Sequence, residues 1–229
     1  MDKLQMKTII AKRIADELKD NSFVNLGVGL PTMVAEFVAP ERNILLQGEN
    51  GIIGIGRDPK PGEEFDPDIL SSSGYPATAV PGASYFDSAT SFGMIRGGHV
   101  DVTVLGTMQV DELGNIANYQ IPGKRVTGMG GAMDLCVGSK KVIVATFHTN
   151  GGSPKILSRC SLPLTAKNCV NVIVTEMGVM DVTSEGIVLR EYNPIFTIDE
   201  IQAATGAKLI IPKNIKEMNR PIEENNLVV

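Results

Sequence analysis

The run Gln47-Gly48-Glu49-Asn50-Gly51 sets one carboxylate among small residues directly after the apolar stretch Ile44-Leu45-Leu46. A strand that ends in a glycine-rich bend pushes its next side chain out at the C-terminal edge of a sheet, where open α/β sheets hold their ligands. Glu49 stands at that position. The flanking glycines carry no Cβ that would keep a bulky substrate from reaching the carboxylate. The chemistry open to such a group is nucleophilic attack on an electrophilic carbonyl. Glu-Asn-Gly also reads as a plain turn, because Asn and Gly both accept positive φ.

A second glycine cluster, Gly123 followed by Gly128-Met129-Gly130-Gly131-Ala132-Met133-Asp134-Leu135, leaves few side chains above the backbone and leads into a short helical pattern. Exposed amides at such a turn can hold a developing oxyanion, and one well-aimed donor is worth about 3 kcal/mol in a barrier. The same glycines also suit tight turns and close helix packing. Gly27-Val28-Gly29-Leu30-Pro31 starts like a dinucleotide turn, but Thr32 replaces the third glycine and no acidic residue follows at the ribose-binding distance. That turn is suited to backbone contact with a ligand, not to a Rossmann cofactor. His99 is a candidate general base or a structural residue ahead of a strand. Ser84, Ser88 and Ser91 have no nucleophile elbow around them, so serine hydrolysis has little support.

The elements that must position these groups follow from the apolar pattern. Ile10, Ile14 and Leu18 at i, i+4, i+8 describe an amphipathic helix ending near Asp20-Asn21. Phe23 to Leu26, a glycine turn, and a helical pattern from Thr32 to Val38 follow. Buried-strand candidates recur at Val100 to Leu105, Val142 to Phe147 and Val170 to Thr175. Thr197-Ile198-Asp199-Glu200 is a capping box opening a helix that closes at Gly206. Strands alternating with helices predict an α/β fold, a mostly parallel open sheet with helices on both faces. Residues 57–68 carry three prolines and five acidic residues without apolar periodicity. They form a loop that either borders the site or makes a solvated excursion.

With 229 residues, 43% hydrophobic and 21% charged, the chain is long enough for one large domain spanning residues 1–229. A net charge of −5 with dispersed basic residues leaves no footprint for nucleic acid or an anionic membrane. No membrane span or signal pattern is visible, so a cytoplasmic chain is expected. Three cysteines and two histidines without ligand spacing favour buried free thiols over a disulfide framework or a metal site.

Several separated blocks together resemble the class I coenzyme A transferases, specifically the B subunit of 3-oxoacid and butyrate/acetate-acetoacetate coenzyme A transferases. They are 24–32, 47–54, 81–86, 94–100, 121–124, 128–135 and 160–165, and the likeness runs from about Ile9 to Met218. The resemblance implies that Glu49 is the catalytic glutamate and that the Gly131 amide lies near the thioester oxygen. It also implies that Gly27, Gly29, Asn50, Gly51, Gly128 and Gly130 contact substrate or CoA. Gly48 departs from the pattern, which commonly has Ser before Glu-Asn-Gly, and this puts the hydrogen bonding around the nucleophile in question.

The activity implied is ping-pong exchange of CoA between a short-chain acyl-CoA and a carboxylic acid, through a glutamyl-CoA thioester. It uses no metal and no permanently bound cofactor; CoA thioesters are the substrates. An A subunit is implied as partner, in a heterotetramer. The alternative is a non-catalytic acyl-CoA-binding or regulatory subunit, which would not need a nucleophile so placed. A sugar-phosphate isomerase would want a base with a cluster of Lys or Arg phosphate clamps, and no such cluster is read near the glycine turns.

Overall fold

A computed structural model describes residues 1–219. Its backbone is one sheet of eleven strands: β1 (Phe23–Leu26), β2 (Leu45–Gly48), β3 (Ile52–Ile55), β4 (Ala79–Tyr85), β5 (Val102–Leu105), β6 (Lys141–Ala145), β7 (Val170–Val174), β8 (Gly178–Thr183), β9 (Gly186–Tyr192), β10 (Leu209–Ile210) and β11 (Lys216–Glu217). The order is β10-β9-β8-β7-β6-β5-β1-β2-β3-β4, with β11 also paired to β9. The five central strands, β7-β6-β5-β1-β2, are all parallel. Antiparallel strands β3 and β4 extend one side, and β8 and β9 the other. The predicted mostly parallel open sheet is therefore present, with antiparallel wings that the apolar runs did not announce.

Both faces of the central strands are apolar because both are covered. Along β6, Ile143 and Ala145 pack into one core with Val24 and Val104, whereas Val142 and Val144 face the other with Leu105 and Ile173. The first core is closed by α1 (Lys3–Glu17), through Ile10 and Ile14, and by a 3-10 helix at Leu30–Phe37 through Val34. The second is closed by α2 (Ser88–Arg96), α3 (Ala132–Gly138) and α4 (Ile198–Ala204), through Ile95, Leu135 and Ile201. α1 is capped by a reciprocal Asp2–Gln5 box and α4 by the expected Thr197–Glu200 box.

The helical pattern from Thr32 to Val38 is the 3-10 helix at Leu30–Phe37. Both the amide and the hydroxyl of Thr32 donate to the Gly29 carbonyl, at 3.1 and 2.7 Å, which tightens the first turn to i→i−3 bonding. Of the cysteines only Cys136 is buried; Cys160 and Cys169 are half-buried, and all three are free. Residues 57–68 make the outward loop: Arg57 clasps Glu63 at 2.8 Å, and no residue of the loop lines the cleft that holds Glu49. Among the described residues no helix is long and apolar enough to cross a membrane.

The topology creates the crevice. From β1 the chain moves to β2 on one side, by way of the 3-10 helix on the first face. It reaches β5 on the other side of β1 by way of α2 on the opposite face. The loops leaving the C-terminal ends of β1 and β5 therefore part, and such a switch point is where open α/β sheets bind ligands.

Candidate active site

Glu49 directly follows β2, in a turn closed by the Gly51 amide donating to the Gly48 carbonyl at 3.0 Å. β3 then returns antiparallel, so the carboxylate leaves the sheet at the edge where β1 and β5 also end. Gly51 permits this return: its φ is +128°, and a Cβ there would stand 2.0 Å from the Phe86 carbonyl oxygen. Beneath the turn runs a hydrogen-bonded chain of buried side chains. The Thr103 hydroxyl donates to Asn25 Oδ1 at 3.4 Å, the Asn25 amide to Gln47 at 3.4 Å, and the Gln47 amide to the Ser91 hydroxyl at 3.0 Å. These four residues are fully buried, and their bonds tie β5, β1, β2 and α2 together under the site. Ser91 thus has a structural partner.

A cleft of about 500 Å³ opens at this edge, lined by Glu49 and by Gly27, Gly128, Gly130 and Gly131 from the two other glycine turns. Among the described residues Glu49 is the only acid or base in its lining; the rest is glycine, apolar side chains such as Val28, Met108 and Met129, and the neutral polar groups of Ser72, Thr107, Asn118 and Thr127. The Gly131 amide donates to Glu49 Oε1 at 3.4 Å, so the expected donor is aimed at the carboxylate itself. Gly131 precedes α3, and its missing side chain leaves room for the carboxylate: a Cβ would lie 2.8 Å from Glu49 Oε2 and 2.9 Å from Phe92 Cζ. Burial raises the Glu49 pKa; the Gly131 amide opposes this, and the Asp134 carboxylate adds to it. Asp134 is itself paired with Arg96 at 2.7 Å, which blunts its field.

The remaining expected site residues lie elsewhere. Gly29 starts the 3-10 helix and does not line the cleft. Asn50 turns away, its amide donating to the Leu70 carbonyl at 2.8 Å, and Gly51 is pressed against Phe86. Both serve the turn's geometry, because consecutive residues of a tight turn cannot all face one pocket. Gly123 sits in a hairpin turn outside the lining. His99 is exposed ahead of β5, at the opposite edge of the sheet. Ser72, Thr107 and Asn118 were not anticipated. Thr107 could have been found, because it lies two residues beyond β5 and the C-terminal ends of parallel strands converge there. Ser72 lies in a loop without periodicity, and nothing in the sequence points to it.

The sequence profile of the coenzyme A transferase family matches residues 7–204. The chain belongs to the coenzyme A transferase family. A probable coenzyme A transferase subunit beta of Bacillus subtilis is 48% identical over 203 residues, covering 88% of this chain and 93% of that relative. An acetate CoA-transferase subunit beta of Haemophilus influenzae is 46% identical over 217 residues, covering 94% and 96%. The acyl-CoA transferase YdiF of Escherichia coli O157:H7, as apoenzyme, superposes with a TM-score of 0.74 at 21% identity, over 93% of this chain and 43% of that one. At that identity the superposition shows the fold alone. This transferase chain spans less than half the length of YdiF.

Proposed function

We propose that this chain is the B subunit of a transferase that moves CoA between a short-chain acyl-CoA or 3-oxoacyl-CoA and a free carboxylic acid of the acetate, butyrate or acetoacetate kind, with Glu49 as covalent nucleophile. One observation carries the reading. Among the described residues Glu49 is the sole ionisable side chain lining a cleft of otherwise neutral groups, with a backbone amide 3.4 Å from its carboxylate.

In the first step a Glu49 oxygen attacks the acyl carbonyl, the carbon–sulfur bond breaks, and CoA leaves as thiolate, giving a mixed anhydride. The thiolate then attacks the glutamyl carbonyl and expels the first acid as carboxylate. The glutamyl-CoA thioester that remains is attacked by the second carboxylate, and the same steps in reverse yield the new acyl-CoA and free Glu49. The Gly131 amide is placed to donate to the glutamyl oxygen as charge gathers on it. The chemistry retains one activated acyl bond throughout, so no ATP or metal is called for.

Water is the competing nucleophile, and the cleft must be closed when occupied. The relatives named as beta subunits support a partner subunit; our reading makes it an A subunit that closes the cleft, within a cytoplasmic heterotetramer. Val28 in the cleft wall and Met133 and Val137 on α3 are exposed, apolar surface that a second subunit would cover.

The test is to purify the chain with its A subunit, supply acetoacetyl-CoA, and trap with hydroxylamine or borohydride. Modification should appear on the Glu49 peptide, and an unmodified peptide during turnover refutes the covalent route. Glu49→Gln should lose about three orders of magnitude in kcat with its circular dichroism unchanged. Retained turnover with a modest change in acyl-CoA affinity would instead mark a binding subunit.

A further inference from the structure

We infer that Ser72 is a positioning residue for Glu49, an inference that rests on the reading of Glu49 as nucleophile. Ser72 belongs to the segment between β3 and β4, in a loop closed on itself by the Ser71 amide bonding the Tyr75 carbonyl at 2.8 Å and the Ala77 amide bonding the Ile69 carbonyl at 3.0 Å. Its hydroxyl reaches across to the catalytic turn and lines the same cleft. The Ser72 Oγ accepts from the Glu49 amide at 3.0 Å and donates to Asn50 Oδ1 at 3.3 Å, while the Asn50 side-chain amide donates to the Leu70 carbonyl at 2.8 Å. The three bonds run in one direction, from the Glu49 backbone through Ser72 and Asn50 back into the loop that carries Ser72.

This fastening matters because the turn is flanked by Gly48 and Gly51 and is soft on its own. The Gly131–carboxylate contact is already at 3.4 Å, the outer limit of a hydrogen bond, so a small shift of the Glu49 backbone ends it. A hydroxyl has a single proton, and that of Ser72 goes to Asn50. None is left for the carboxylate, so Ser72 acts on the nucleophile through the backbone and not on its charge. Gly48 belongs to the same device. A Cβ at position 48 would lie 2.6 Å from Asn50 Oδ1, so any side chain there displaces the group that receives the Ser72 proton.

The test uses the complex with the A subunit, acetoacetyl-CoA and acetate. Ser72→Ala should lower kcat about ten- to a hundredfold with KM within about twofold, the scale of a nucleophile misplaced by a fraction of an ångström. The acid limb of the pH profile should stay where it is. Ser72→Thr, which keeps the hydroxyl, should recover most of the rate, and Gly48→Ala combined with Ser72→Ala should cost less than the two losses multiplied, because both break the Asn50 contact. Ser72→Ala within about twofold of the parent overturns the inference, as does a Thr variant no better than Ala, or an acid limb that moves with the hydroxyl's removal. If Glu49→Gln is inactive and Ser72→Ala is not impaired, the inference alone fails; if Glu49→Gln turns over normally, the functional reading fails with it.

Discussion

Gly131→Ala is the sharpest perturbation the geometry offers, because it separates catalysis from folding. Gly131 has φ −83° and ψ 2°, a conformation alanine adopts without strain, so the backbone does not resist the change. The new methyl would stand 2.8 Å from Glu49 Oε2, 3.0 Å from Glu49 Cδ and 2.9 Å from Phe92 Cζ. Ordinary contact begins at 3.4 Å, so the carboxylate and the ring must each retreat by about half an ångström. The Gly131 amide already bonds Glu49 Oε1 at 3.4 Å, and that retreat takes it out of hydrogen-bond range.

Losing one donor of this kind costs about 3 kcal/mol, roughly two to three orders of magnitude in kcat. The fold loses little, about 1 kcal/mol, because the crowded atoms are the ends of two side chains, the Glu49 carboxylate and the half-buried Phe92 ring, which can give way. Steady-state kinetics of the complex, together with a thermal melt, measure both. A Gly131→Ala enzyme that keeps more than about a tenth of the parent kcat would refute the role given to that amide. So would a large drop in melting temperature with kcat preserved in the folded fraction.

Two further outcomes follow from the same site. Burial raises the Glu49 pKa above its unfolded value, so its contribution to stability is fully present below the unfolded pKa and is lost as pH rises through the folded one. Glu49→Gln should therefore melt above the parent at neutral pH, with the advantage vanishing near pH about 4, and the parent's activity should fall on acidification at a pH above that of an ordinary glutamate. A Gln variant that melts below the parent at neutral pH contradicts this. At Gly51, φ is +128° and a Cβ would stand 2.0 Å from the Phe86 oxygen, which leaves no room for a methyl, so Gly51→Ala should destabilise by more than about 4 kcal/mol. Denaturant titration checks it, and a loss below about 1 kcal/mol would mean the turn has another conformation available.

The positions of β5, β6 and β7 were legible because each is a short run rich in Val or Ile and mostly buried, and such runs have few other uses. The antiparallel wings were harder to read: β9 mixes Ile187 and Leu189 with Arg190 and Glu191, and direction is set by connection length and pairing, not by composition. The helical pattern after Gly29 was visible, but the Thr32 bonds that make it a 3-10 helix depend on local geometry.

The sequence by itself determined that a carboxylate stands between glycines at a strand end, and that two further glycine turns are available to meet it. That information is local, because strand, turn and missing Cβ are each written in a few adjacent residues. Only the tertiary structure decided which residues of those motifs share the cleft. It brought Gly27, Gly128, Gly130 and Gly131 to Glu49, left Gly29, Asn50 and Gly51 outside the lining, and added Ser72 from a loop with no pattern of its own. The reason is physical: which atoms face a pocket depends on how β1, β2 and β5 pair and where the chain switches faces, and those pairings join residues far apart in sequence.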